Sequence, residues 1–225
     1  MKRARPYYPV FLDLVDRPCL VVGAGRVAVE KVAGLLEAGA RVTVVAPEAD
    51  ARIRRRHRDG RVHWKQRRFR SGDVDGAFIV VAATNDPKVN QRVFDAARSQ
   101  ERPINAADDA ARCTFILPAR ARAGVVQAAV STSGASPALA QRLRDRIQRE
   151  LLAPPTAKLA DFLAKRRERV KARLPTYELR ERFWRRWLDS PNSTLVAADE
   201  RAAEAAFAAM LERAAASPAR ERARP

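Results

Sequence analysis

Cysteine is scarce: the 225 residues contain two, Cys19 and Cys113, and neither stands in a spaced His/Cys framework. That excludes a disulfide-stapled scaffold, and two unpatterned thiols inside apolar runs read as buried side chains of a reducing compartment. Histidine is as sparse. His57 and His63 have no acidic or cysteine partners in sequence and read as surface residues, so no protein metal site is expected. No run approaches the ~20 consecutive apolar residues that span a bilayer, and Met1-Lys2-Arg3-Ala4-Arg5-Pro6 lacks the apolar core of a signal peptide. The expectation is therefore a soluble, cytoplasmic protein with no membrane partner. Aromatics make up 6% of the chain, and none is interleaved with the densest basic run, Arg52 to Arg58, as single-strand stacking would favour. Acidic residues are in deficit, 26 against 44 Lys and Arg, leaving a net charge of +18 and a pI near 11.2. Such a balance suits nucleic acid, an acidic membrane surface or a polyanionic small molecule. The excess is spread over the whole chain as solvated surface, and nucleic acid is not the expected partner.

Glycine is also infrequent, nine in all, which gives weight to where two of them fall. The apolar run Leu20-Val21-Val22 breaks into Gly23-Ala24-Gly25-Arg26-Val27-Ala28 and continues with helical periodicity through Leu36. A strand, a Gly-x-Gly-x-x-Ala turn and a helix make a dinucleotide site: Gly23 permits the tight turn, Gly25 admits a pyrophosphate to the backbone, and Ala28 lets the helix pack close. The helix start offers free N–H groups to the phosphates. Glu48 follows ~20 residues on, where an acid that accepts from ribose hydroxyls and repels a 2′-phosphate is expected, which argues for NAD over NADP. Glu48 is equally placed to cap a helix beginning near Ala49.

Length allows one large domain with one or two small ones. From Pro18 to Asn105, β-branched runs alternate with helical stretches, the βαβ signature of a parallel sheet covered on both faces. Strands are expected at 19–22, 41–46, 61–65, 78–83 and 103–105, with helices at 27–38 and 87–99. In such a sheet Gly23, Glu48, Thr84 and the residues after Asn105 converge on the carboxyl rim. Beyond, 113–117 and 125–131 read as two antiparallel strands joined by a polar connection at 120–124. Ser136-Pro137 opens a helix to about residue 152, and the remainder is helical to Arg213, followed by a frayed tail. No internal repeat is present.

Six segments in order resemble the siroheme-synthase N-terminal family, that is precorrin-2 dehydrogenase, sometimes combined with sirohydrochlorin ferrochelatase. They are Tyr8 to Leu14, Val21 to Ala28, Ala82 to Asp86 with Val89-Asn90, Asn105 to Asp109, Cys113 to Ala119, and Ser131 to Ala140. The resemblance spans residues 7 to 213. It implies an α/β, Rossmann-like doubly wound parallel sheet with NAD as cofactor (1–112), a small α+β dimerisation segment (113–152), a C-terminal helical domain (153–213) and a homodimer; the residues beyond, 214–225, read from the sequence as a disordered tail. The resemblance implies NAD-dependent oxidation of precorrin-2 to sirohydrochlorin. Residue by residue, Arg26 and Val27 match turn residues that meet the cofactor, Pro47 and Glu48 those beyond the second strand, and Asp108 the catalytic aspartate. Ser133 departs from a usual Gly, and Gly23-Ala24-Gly25 from three glycines. The chain shows no methyltransferase module, so methylation of uroporphyrinogen III is not expected.

Asp108 and Asp109 are a carboxylate pair past a strand end. Oxidation removes a hydride and a proton, and a carboxylate can take the proton. Capping by Asp108 and solvation of Asp109 is the plainer reading of position alone. Ser131, Thr132, Ser133 and Gly134 form a hydroxyl-rich turn able to meet substrate carboxylates, while Ser136 reads as a helix cap. Arg120 and Arg122 would belong to an electrostatic funnel for a tetrapyrrole bearing eight carboxylates. Ferrous or cobaltous ion is an open further substrate. Two other readings stay open: a dehydrogenase feeding a separate chelatase, and a non-catalytic basic protein that senses nucleotide or binds nucleic acid.

Overall fold

The computed structural model describes residues 6–107 and 109–216, arranged as two compact units, residues 1–117 and 118–225. In the first, five parallel strands, β1 (Pro18–Val22), β2 (Arg41–Val45), β3 (Val62–Lys65), β4 (Ile79–Ala82) and β5 (Ile104–Ala106), form one sheet in the order β3-β2-β1-β4-β5. This is the Rossmann-like arrangement expected. The chain steps outward from β1 to β2 and β3, then returns to β1's other side as β4, so the strand order reverses beside β1. A crevice opens beyond the carboxyl ends at such a switch point.

Alternation within the strands builds two cores. Cys19 and Val21 face one layer with Val29, Val32, Val44 and Ile53, covered by α1 (Arg26–Glu37) and α2 (Ala51–Arg58). Leu20 and Val22 face the other with Val80, Val93, Ala97 and Ile104, covered by α3 (Pro87–Ser99). Strands buried on both faces must be apolar at every position, which is why β4 reads Ile-Val-Val-Ala. Asp86 caps α3 by accepting from Lys88 N–H and Val89 N–H, with Pro87 at the first position. Asp50, not Glu48, caps α2, which starts at Ala51 rather than Ala49. A short 3-10 turn at Ser71–Val74 is held by Asp73, whose buried carboxylate accepts from Arg67 and from Arg70 N–H.

The unit runs five residues further than the expected boundary. Thr114 N–H donates to Ile104 O at 2.8 Å, and Ile104 N–H donates to the Thr114 hydroxyl at 2.8 Å, so 113–115 is fastened back onto β5. The strand expected at 113–117 is absent for the same reason: its backbone serves the first unit.

In the second unit, β6 (Ala119–Ala123) and β7 (Val126–Val130) form an antiparallel hairpin. β6 falls on the segment read as a polar connection. Arg120 and Arg122 point outward while Ala121 and Ala123 are buried with Leu152, so a strand alternating Arg with Ala looks polar by composition although its period is that of a sheet. α4 (Pro137–Glu150) packs on the hairpin and is capped by the Ser136 hydroxyl, which accepts from Leu139 N–H. α5 (Pro154–Arg173), α6 (Tyr177–Asp189), α7 (Asn192–Ala198) and α8 (Glu200–Ala216) enclose a separate aromatic core of Phe162, Phe183, Trp187 and Phe207. Residues 214–216, placed in the expected tail, are the last turn of α8; the rest of that tail lies outside the described residues. Among the described residues no helix is long and apolar enough to cross a membrane.

Candidate active site

The turn after β1 is built around a collision that only glycine avoids. Gly23 has φ +106°, and a Cβ there would meet the backbone of Ala83, with the carbonyl carbon at 2.6 Å. The end of β4 thus lies directly against the turn and brings Thr84 to the same rim. Gly25 is different in kind: a Cβ would have no atom within 4 Å. It begins α1 with no side-chain cap, leaving the first N–H groups of the helix for a ligand. Arg26 and Val27 occupy the exposed first turn of α1.

An open groove of about 510 Å³ runs from this turn past the end of β2, lined by Ala24, Gly25, Glu48, Ala49, Asp50, Arg54, Trp64 and Gln66. Glu48 is exposed in it, with Pro47 exposed beside it. Its carboxylate is thereby on the same surface as the Gly25 backbone, as a ribose acceptor must be. Asp50 is committed elsewhere. It accepts from Arg52 N–H at 2.8 Å and from the Arg52 guanidinium at 3.0 Å, and the Arg52 guanidinium and N–H hold its carboxyl down at about 2. Arg54 donates to Ala49 O at 2.6 Å, fixing one arm of its guanidinium on the groove wall. Arg54 lies close enough to Glu48 in sequence to bear on the choice between NAD and NADP, whereas Asp50, Trp64 and Gln66 were missed; the usable signal was that β3 ends on the same rim as β2.

Thr84 reaches the rim with its hydroxyl already engaged, donating to Asn90 Oδ1 at 2.8 Å, while Asn90 Nδ2 donates back to Thr84 O at 3.0 Å. The Thr84 N–H also donates to Asn90 Oδ1, at 3.3 Å, so the pair locks the loop between β4 and α3 and fixes Thr84 as a wall of the rim.

Beyond β5, Asp108 lies outside the described residues; its neighbours form a tight polar frame. Asp109 is not a free solvated carboxylate. It accepts from Ala111 N–H at 3.0 Å and Arg112 N–H at 3.3 Å, and pairs with the Arg112 guanidinium, whose Nε donates to Gln91 Oε1 at 2.6 Å. Cys113 Sγ accepts from Ala106 N–H at 3.2 Å and donates to Asp109 O at 3.1 Å. Buried Asn105 donates to Phe115 O at 3.1 Å. The residues on either side of 107–108 are thus tied together. Cys19, by contrast, sits within β1, where burial pushes its thiol up to about 11 against the lowering contact with the Ile79 backbone; it is chemically inert.

Ser131, Thr132, Ser133 and Gly134 lie in the second unit, between β7 and α4. The Ser131 hydroxyl accepts from Ser133 N–H at 3.0 Å, and the Thr132 hydroxyl accepts from Ser136 N–H at 3.1 Å and donates to Ser136 O at 3.0 Å. Ser133 and Gly134 are both left-handed, at φ +52° and +87°. The hydroxyls shape the turn, leaving backbone at its tip. Arg120 and Arg122 are exposed on β6. Among the described residues no three His, Cys, Asp or Glu side chains come together to hold a metal ion.

Comparison with known proteins matches three family models in succession: "putative NAD(P)-binding" over residues 10–119, "sirohaem biosynthesis protein central" over 124–150, and "sirohaem synthase dimerisation region" over 156–211. The dimerisation description falls on the helices, whereas sequence reading put that segment at 113–152. A siroheme synthase of Actinobacillus pleuropneumoniae serotype 3 is 40% identical over 178 residues, 79% of this chain and 36% of that protein. One from Neisseria meningitidis serogroup C is 37% identical over 207 residues, 92% of this chain and 43% of that protein. The chain thus spans about two fifths of the length of the curated relatives it matches. The solved structure of SirC, a precorrin-2 dehydrogenase, superposes with a TM-score of 0.76 at 26% identity, covering 92% of this chain and all of that one.

Proposed function

On the premise that the chain belongs to the siroheme-synthase N-terminal family, we propose that it oxidises precorrin-2 to sirohydrochlorin with NAD as the hydride acceptor. The observation that carries this is the coincidence of two facts. The whole of a precorrin-2 dehydrogenase superposes on this chain, and the switch point of the sheet carries a dinucleotide cradle in which Gly25 is open and Glu48 exposed.

The residues present fit NAD. Gly23 makes the turn that would bring the backbone of Gly25, Arg26 and Val27 to the pyrophosphate at the uncapped start of α1, Pro47 and Glu48 would receive the adenosine ribose, and Thr84 borders the other side. The chemistry supplied by bound NAD is hydride uptake. What remains for the protein is the proton: Asp108 accepts it from the tetrapyrrole as the hydride leaves. A positioned base of this kind contributes ~10²- to 10⁴-fold. The tip of the Ser131 to Gly134 turn meets substrate carboxylates, while Arg120 and Arg122 draw the polyanion in. Ferrous or cobaltous ion is proposed as a later substrate of the same carboxylate, which would take up pyrrole protons as metal enters the ring. The assembly is proposed to be a cytoplasmic homodimer built through the second unit.

Replacing Asp108 by Asn tests the assignment. The variant is expected to bind NAD as the parent does, by calorimetry, and to lose at least ~10²-fold in turnover; parental turnover would remove Asp108 from the mechanism.

A further inference from the structure

We infer that Trp64 is the platform for the adenine ring in this chain, with the guanidinium of Arg54 on the same groove. The inference rests on the reading of the groove as the NAD site and goes further by naming what recognises the base. Strand order decides which end of the dinucleotide lies here. Pyrophosphate at Gly25 sits at the end of β1; β2 and β3 are on one side of it, β4 and β5 with the 107–109 segment on the other. Hydride transfer needs the nicotinamide on the side of the proposed base. The nucleoside beyond Glu48 toward β3 is therefore the adenosine, and the large planar side chain waiting there is Trp64.

Trp64 is prepared for such a contact. Its register partner is Val44, so it faces the α1/α2 layer and packs at the margin of that core, half-buried. The indole N–H, its one polar group, donates to Ala46 O at 3.0 Å, and the His57 ring stands nearly perpendicular to it, at 86° with centroids 6.1 Å apart. Ring orientation is thus fixed before a ligand arrives, at a position where the indole lines the groove. Arg54, pinned through Ala49 O, adds a planar cation that stacks on a purine as readily as on an aromatic ring. A pre-ordered platform binds without a further entropy cost.

The test uses the 225-residue chain with NAD, adenosine diphosphoribose and nicotinamide mononucleotide as probes, comparing the parent with Trp64→Leu and Trp64→Phe. Base stacking on an aromatic ring corresponds to roughly a tenfold affinity change per base. Trp64→Leu is expected to weaken NAD and adenosine diphosphoribose about tenfold alike, leave nicotinamide mononucleotide unchanged, and raise the KM for NAD without lowering kcat. Trp64→Phe is expected to retain most of the affinity. Adenosine diphosphoribose should also perturb tryptophan emission in the parent and not in Trp64→Phe, a readout that survives if the Leu variant fails to fold. Parental affinity in Trp64→Leu, or an unchanged emission in the parent despite binding, overturns the platform while leaving the NAD site standing. A parent that binds neither NAD nor adenosine diphosphoribose overturns both.

Discussion

At the scale of single residues, the carboxylates divide into those that hold the fold and those left for chemistry. Asp73 is the clearest structural case. Its side chain is 3% exposed and accepts from Arg67 at 2.8 Å, Arg70 N–H at 2.9 Å and Lys65 at 3.3 Å. Burial pulls its carboxyl upward, but these donors outweigh that and hold it at about 2, below its ordinary 3.8. A carboxylate whose acidity is raised by folding stabilises fully above its unfolded value and loses that contribution as pH falls through the folded one. Asp73 therefore contributes about 2 kcal/mol above pH ~4, lost on acidification toward pH 2. Asp73→Asn should cost that amount at pH 7 and flatten the acid limb of the stability curve, which denaturant titrations at pH 7 and pH 3 would show. Ser133 is the converse, a non-glycine residue at φ +52°. Ser133→Gly should stabilise by up to ~1 kcal/mol through relief of the left-handed strain, read as a small rise in Tm. Position in sequence suggested a capping Asp108 and a free Asp109; the bonds of Asp109 to the 110–112 turn reverse the second assignment. No local pattern announces a pairing completed by Gln91, 21 residues away.

At the scale of elements, what could be read from sequence was whatever a single segment specifies by itself. The Leu20 run, the Gly23 turn and the following helix are local, and so is α3, whose Asp86 cap and Pro87 start set its first turn. The exchange of cap from Glu48 to Asp50 is a shift of two residues, Asp50 accepting from Arg52 N–H, and the hairpin strand lies at Ala119–Ala123 because alternate Ala residues there are buried as it pairs with β7. Segment 113–117 is apolar enough to be a strand, yet Thr114 is captured by β5. The two glycines of the turn give the element its test. Gly23→Ala must overcome both φ +106° and the Ala83 backbone, and should destabilise the first unit by 3 kcal/mol or more. Gly25→Ala meets open space. It should fold with near-parental stability yet bind NAD at least ~10-fold more weakly, because the methyl enters the volume reserved for pyrophosphate. Thermal melts beside calorimetric titration separate the two effects; equal losses of stability would place Gly25 in the fold rather than the site.

At the scale of the whole molecule, the proposed substrate offers an account of the net charge of +18. A tetrapyrrole with eight carboxylates is steered by such a field, and steering between solvated charges is screened over ~10 Å at 0.1 M salt. Raising ionic strength should lower kcat/KM for precorrin-2 several-fold while leaving kcat within about twofold, a split visible in steady-state rates. Composition reveals the charge but does not name the anion; the proposed tetrapyrrole rests on motif order and on the fold. The most direct test of the whole account is anaerobic incubation of the protein with enzymatically generated precorrin-2 and NAD, followed by absorbance. Stoichiometric appearance of NADH with the spectrum of sirohydrochlorin is the predicted result. Unchanged precorrin-2 and no NADH, from protein that binds NAD, would contradict it.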